Sequence, residues 1–252
     1  RMRCTPDAAM PVATALARRA DTSWVRLLSG GTEINCITRT RAQTAEGDLL
    51  LQKLPRTARV TAVTAHCVLR AVAGTGGWPV RTAALRPDQV AALRPPSEPA
   101  AAPVPLTPAD NQLLAALAKD GRAGIPALAA ATGWSETTVR RRIEHLRGAE
   151  VLYFDVEIEP ALFGHTAEAA LWLTVEPSAL AAVGAALATH PQVAFAAAIT
   201  GPATIAASLV CRDLDDLYDY IATGIGSLRG VSRAETAPVV RRVKDAGALL
   251  LP

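Results

Sequence analysis

The sequence predicts an α+β protein in which a winged-type helix-turn-helix lies between two ferredoxin-like βαββαβ units. Three observations lead there. Residues 165–245 alternate strand-like and helix-like apolar patterns in the order βαββαβ. Residues 1–72 match that segment without a gap at one constant offset. Between the two copies stand three short helical patterns with a glycine just before the third, the spacing of a helix-turn-helix.

The offset of the repeat is 171 residues. It pairs Gly30 with Gly201, Ile34 with Ile205, Arg41 with Arg212, Asp48 with Asp219, Val60 with Val231 and Arg70 with Arg241. Pro6 and Pro177, Val12 and Val183, and Leu16 and Leu187 keep the same register, so residues 1–72 are expected to be a second βαββαβ unit. The register also sets Arg1 against Trp172, inside the first strand of the later copy. The first unit is therefore expected to begin mid-strand, in a fragment of a longer chain with a further helix-turn-helix upstream.

Residues 73–105 read as a linker, with Gly74, Gly76 and Gly77 followed by Pro95, Pro96, Pro99, Pro103 and Pro105. Its proline-rich end should be extended and semi-rigid, and Pro87 to Leu93 can make a short helix.

The helix-turn-helix spans 106–151. Thr107 can cap the first helix, Pro108 suits its first position, and Asp110 places negative charge at the positive end of its dipole. Leu113, Leu114 and Leu117 mark its core face, and Lys119-Asp120-Gly121-Arg122 ends it. A second helix restarts at Pro126, carries Leu128, and stops at Gly133, which tolerates a left-handed turn. Trp134 is expected to plug the core at that turn. Ser135 then caps the third helix, whose Val139, Ile143 and Leu146 stack on one side. Thr137 and Arg141 lie opposite that stripe with Thr138 and His145 beside them, while Arg140 and Arg142 flank it. Such a face suits a DNA groove, with guanidinium groups on phosphates and Thr137, Thr138 and Arg141 on base edges.

In the second unit, Glu168 to Val175 suits a buried strand, and Ser178 can cap a helix bearing Leu180, Val183 and Leu187. His190-Pro191 breaks it. Strands are expected over Val193 to Thr200 and Thr204 to Cys211, joined by a Gly201-Pro202 turn. A second helix bears Leu214, Leu217, Tyr218 and Ile221, and Val231 to Val243 closes the unit as a strand.

Over residues 106–243 the chain resembles the Lrp/AsnC transcription regulators of bacteria and archaea. The resemblance is carried by Leu-Thr-Pro-Ala-Asp at 106–110, Lys-Asp-Gly-Arg at 119–122, the Gly-Trp-Ser…Val-Arg-Arg-Arg-Ile-Glu-His-Leu helix, and Ile-Thr-Gly at 199–201. Glu150 departs from it, standing where the family usually turns on glycine, and Gly148 can serve instead. The resemblance implies a DNA-reading helix-turn-helix joined to a βαββαβ domain that senses a small molecule. Double-stranded DNA, an amino acid or related effector, and further copies of the chain are then the expected partners, and the stretch around Val80 is expected to pair as a strand. Ser135, Thr137, Thr138, Arg140, Arg141, Arg142 and Arg122 fall at the DNA surface. In the family, sensing domains pair side by side and effectors bind near the glycine turn between the second and third strands. By position, that places Ser29, Gly30, Gly31 and Glu33 of the first copy, and Thr200, Gly201, Pro202 and Thr204 of the second, at ligand sites. An acidic residue there commonly meets the ligand ammonium; Glu33 keeps it and Thr204 does not. At most one amino-acid-like pocket per pair, dependent on Glu33, is therefore expected, with the second copy structural. Two alternatives go with the same architecture: a sirohaem-decarboxylase-like enzyme, a class that includes fused double forms and would recruit His66, and a metabolite-sensing protein that does not bind DNA.

Composition excludes other classes. Half of the 252 residues are hydrophobic and net charge is only +3, so basic charge is local, at 122, 140–142 and 147. Cys4, Cys36, Cys67 and Cys211 form no CxxC pair, and reduced thiols in a cytoplasmic protein are expected. No signal peptide or membrane span is expected from these residues, which also hold no GxSxG elbow, Walker loop or GxGxxG, and the four histidines are scattered. No enzymatic activity, cofactor, metal or membrane association is expected.

Overall fold

The structure is a computed structural model, and the residues described are 1–39, 57, 59–74, 85–93, 104–149, 151–154, 156 and 158–246. In chain order the elements are β1 (Met2–Cys4), α1 (Pro6–Ala17), β2 (Thr22–Leu28), β3 (Glu33–Thr38), β4 (Val60–Val63), β5 (Val68–Ala73) and α2 (Pro87–Leu93). There follow α3 (Pro108–Lys119), α4 (Ile125–Thr132), α5 (Glu136–Gly148), β6 (Ala167–Val175), α6 (Leu180–Leu187), β7 (Val193–Ile199), β8 (Ile205–Cys211), α7 (Leu214–Asp219) and β9 (Val231–Lys244). Two compact units result, one from Arg1–Thr82 with Glu157–Pro252 and the other Ala83–Val156.

In the first unit the described strands run in the order β4-β1-β3-β2-β9-β6-β8-β7-β5. The order β4-β1-β3-β2 over residues 1–63 is repeated as β9-β6-β8-β7 over 167–244, all pairs antiparallel. The last strand of each half crosses to the other. β9 pairs with β6 up to Ala169↔Pro238 and then with β2 from Leu28↔Val239 to Val25↔Lys244. In the same way β4 pairs with β1, and β5, a few residues on, pairs with β7 from Val68↔Ile199 to Ala73↔Ala196.

Alternation along the strands builds the layers. Ala169, Leu171, Leu173 and Val175 of β6 face one core with Val183 and Leu187 of α6 and Leu217 of α7. Their neighbours Ala170 and Trp172 point the opposite way, into a cluster with Leu28, Ile199 and Ala237. A third cluster joins Val25 and Leu27 of β2 to Ala9, Ala13 and Leu16 of α1.

Several expectations need correcting here. Ser178 lies inside a 3-10 turn at Pro177–Ala179 ahead of α6 and makes no cap hydrogen bond. Leu214 and Tyr218, expected on the apolar face, are 64% and 71% exposed; α7, capped by Asp213, continues into a π-helical stretch at Tyr220–Ile225. Leu217 is buried as expected, and the wider turn brings Ile225, five residues after the buried Tyr220, into the core as well. The second helix expected in the first copy falls on residues outside those described, as do the stretch around Val80 and Glu150.

The unit Ala83–Val156 is helical. Leu113 and Leu117 of α3, Leu128 of α4, and Val139 and Leu146 of α5 are its buried core, with Trp134 packed against them. α3 begins with a capping box in which Thr107 and Asp110 bond each other's backbone N–H. α4 ends on Gly133 at φ 72°, the left-handed turn before α5. Between α5 and β6 no strand lies among the described residues, so the expected wing is not seen there: Val151 and Leu152 instead donate their N–H to Leu146 O, at 3.0 Å each. The helix expected at Pro87 to Leu93 is α2.

Candidate nucleic-acid and effector sites

α5 presents a charged face because its apolar residues are consumed by the three-helix core. Ser135 caps it, accepting from Thr138 N at 3.2 Å, with its hydroxyl 2.9 Å from Thr138 Oγ1. Thr137, Arg140 and Arg141 are exposed and Thr138 is half-buried. Arg140 lies 3.8 Å from Glu136 one turn earlier, a surface pair that a phosphate can displace at little cost. Arg122 is exposed on the α3–α4 turn, where its N–H donates to Asp120 Oδ1.

Arg142, expected on a phosphate, is committed elsewhere. Its Nε and Nη2 donate to Asp110 Oδ1 and Oδ2 at 2.6 and 2.7 Å, Nη2 also reaches Pro105 O, and Nη1 lies 3.2 Å from His145 Nδ1. The Asp110 carboxylate is fully buried, and the Arg142 guanidinium beside it holds its carboxyl well below the usual range. A guanidinium answering a buried charge at two points is a structural tie between the start of α3 and the middle of α5. Sequence spacing could not reveal it, since 32 residues separate the two.

The two glycine turns of the other unit differ. At the first, Ser29–Gly31 forms a single 3-10 turn with φ of 52°, 69° and 83°, and Cβ atoms placed on Gly30 and Gly31 would meet nothing within 4 Å. Glu33 follows at the start of β3, 4% exposed. Both its carboxylate oxygens accept from Arg1, through Nε and, at 3.1 Å, Nη2. Arg1 also pairs with Glu235 and stacks 4.1 Å from the centroid of Trp172. Its guanidinium therefore answers both the Glu33 and the Glu235 carboxylates.

At the second turn Thr204 replaces the acid, and its hydroxyl accepts from Val175 N at 2.9 Å. Thr200 exchanges bonds with Cys67, its N–H donating to Cys67 O at 3.0 Å and its Oγ1 accepting from Cys67 N at 2.8 Å. His66 Nδ1 lies 2.6 Å from Thr200 O, and its ring covers Gly201. Pro202 completes the turn, its carbonyl accepting from Thr174 Oγ1 at 3.2 Å. His66 and Cys67 were not among the residues expected at this turn. The repeat aligns them with Ala237 and Pro238, but only the strand crossing brings them onto Gly201.

Two family models match this chain: an AsnC-type helix-turn-helix domain over residues 106–147 and an Lrp/AsnC ligand binding domain over 168–249. The chain belongs to the Lrp/AsnC family. Among curated Lrp/AsnC-type relatives it is 27% identical over 143 residues to the HTH-type transcriptional regulator FL11 of Pyrococcus horikoshii, covering 56% of this chain and 94% of that one. It is 28% identical over 136 residues to the regulator LrpA of the same organism, covering 54% and 96%. The fold is shared with the leucine response regulatory protein LrpA of Mycobacterium tuberculosis, at TM-score 0.51 and 22% identity, covering 58% of this chain and all of that one. It is also shared with a Neisseria meningitidis transcriptional regulator solved with L-methionine, at TM-score 0.50 and 20% identity, covering 57% and 96%. Among the described residues, no helix is long and apolar enough to cross a membrane and no cluster of three or more His, Cys, Asp or Glu could hold a metal ion.

Proposed function

We propose that this chain is a DNA-binding transcriptional regulator that responds to an amino acid or a related small metabolite. The observation that carries the reading is the face of α5, where Ser135, Thr137, Arg140 and Arg141 stand exposed on a helix held by the core of Leu113, Leu128, Val139 and Leu146. Arg140 and Arg122 supply phosphate contacts, and Thr137, Thr138 and Arg141 face base edges. Arg142 positions α5 and does not touch DNA.

The repeated strand order and the two crossing strands support reading residues 1–73 and 167–244 as two sensing domains joined as an internal pseudo-dimer. The effector site is the open turn of Ser29, Gly30, Gly31 and Glu33, where a ligand ammonium displaces Arg1 from Glu33. A palindromic operator needs a second reading helix beside α5, from a further helix-turn-helix of the same protein or from a second copy.

The test is a mobility shift on the promoter region of its own gene across a salt series, against random duplex. Preference for the promoter with steep salt dependence is the expected outcome. Equal binding to random duplex would remove the regulator reading.

A further inference from the structure

We propose that His66 is a built-in occupant of the second glycine turn, so that the chain leaves one effector turn open and holds the other shut with its own side chain. The proposal rests on the effector reading of the Ser29–Glu33 turn given above.

A backbone carbonyl only accepts, so the 2.6 Å contact from His66 Nδ1 to Thr200 O requires the proton on Nδ1. The imidazole stands against the α-carbon of Gly201, where a Cβ would lie 2.4 Å from Nδ1 and 2.7 Å from Cε1. The two bonds with Cys67 take up the N–H and hydroxyl of Thr200, so hydrogen-bonding groups a bound amino acid would use are already answered. The acid is gone too, since Thr204 stands at the position of Glu33 and bonds Val175 N.

None of this can be repeated at the first turn. The 171-residue register puts Ala237 in place of His66 and Pro238 in place of Cys67. A methyl group supplies no ring, and proline has no N–H to donate to Ser29. The Ala237 side chain is 2% exposed and belongs to the cluster around Leu28, while the positions a Cβ would take on Gly30 and Gly31 face open space. Two sequence changes at paired positions therefore separate a closed turn from an open one.

The probe is 4-methylimidazole, the histidine side chain as a free molecule, followed by equilibrium dialysis on the full chain. His66→Gly should bind one equivalent and wild type none. No binding by a His66→Gly protein that keeps the wild-type circular dichroism spectrum overturns the proposal. Nitrogen-15 NMR of wild type gives a readout free of any variant: the neutral His66 imidazole should carry its proton on Nδ1, and a neutral form protonated at Nε2 overturns the assignment. L-Methionine then separates this inference from the reading beneath it. One equivalent per wild-type chain, lost in Glu33→Ala and retained in His66→Gly, agrees with both. Two equivalents in wild type overturn the closed second turn. If none of the twenty amino acids binds while the first two results hold, the effector reading falls and the occupancy of the turn by His66 stands.

Discussion

Arg142 and Asp110 are joined at two points, Nε to Oδ1 at 2.6 Å and Nη2 to Oδ2 at 2.7 Å, with the carboxylate buried at the start of α3 and the guanidinium on α5. Arg142→Met would leave the carboxylate buried without its partner, a change that costs on the order of 3 kcal/mol. Because the folded Asp110 carboxyl sits below its unfolded value, the stabilisation is complete above the unfolded carboxylate pKa of about 3.9 and is lost as pH falls through and below it. Urea midpoints of wild type and Arg142→Met should therefore differ at neutral pH and converge toward pH 3. A difference independent of pH would show that packing, not the ion pair, ties these helices.

Arg141 and Arg140 are neighbours with different expected roles. Arg141→Ala should relax base choice and cost about 1–3 kcal/mol on the cognate site, while Arg140→Ala should weaken all duplexes alike and lower the salt slope by about one. Mobility shifts on cognate and random DNA separate the two. Equal losses on both duplexes for Arg141→Ala would place that side chain on the phosphate backbone.

Glu33→Gln removes the charge that Arg1 now answers and that a ligand ammonium would meet. Calorimetric titration with the amino acid bound by wild type should show at least a tenfold loss of affinity, about 1.4 kcal/mol. Unchanged affinity would move the effector away from this turn.

Glycine substitutions test the turns by their surroundings. At Gly133, φ is 72° and a Cβ would meet nothing within 4 Å, so Gly133→Ala should cost about 1 kcal/mol from backbone conformation alone. At Gly230, φ is 88° and the Cβ would lie 2.3 Å from the Ala179 side chain, so Gly230→Ala should cost clearly more. Chemical denaturation reads both, and a Gly133→Ala cost equal to or above that of Gly230→Ala would contradict this ranking.

Cysteine reactivity should follow burial. Cys67 is exposed, whereas Cys4 and Cys211 are buried and burial pushes the Cys211 thiol up to about 12. A colourless disulfide reagent at pH 8 should label Cys67 first and reach Cys211 only on unfolding. Rapid labelling of Cys211 in the native protein would mean that the β8 core opens readily.

Much of the architecture was legible because its signals are local. The Thr107 cap, Gly133 before α5 and the Val139–Ile143–Leu146 stripe act over one to three turns of chain, and the structure forms each of them. The exposed arginines and threonines of α5 follow from the same period. The periodicity failed at Leu214 and Tyr218, which are exposed, and it did not announce Tyr220 and Ile225, whose five-residue spacing belongs to a π-helical stretch.

By itself, then, the sequence determined which segments become helices and strands, that residues 1–72 and 172–243 share one register, and which helix carries the basic face. Those properties are set by neighbours along the chain, through periodicity, capping and backbone conformation. Only the tertiary structure decided that Arg142 answers Asp110, that Arg1 covers Glu33, and that His66 lies on Gly201 while Gly30 stays open. These groups are 32 to 135 residues apart in the chain. Their meeting depends on strand crossings and helix packing, where buried charges and hydrogen-bonding groups must find partners whatever their distance in sequence.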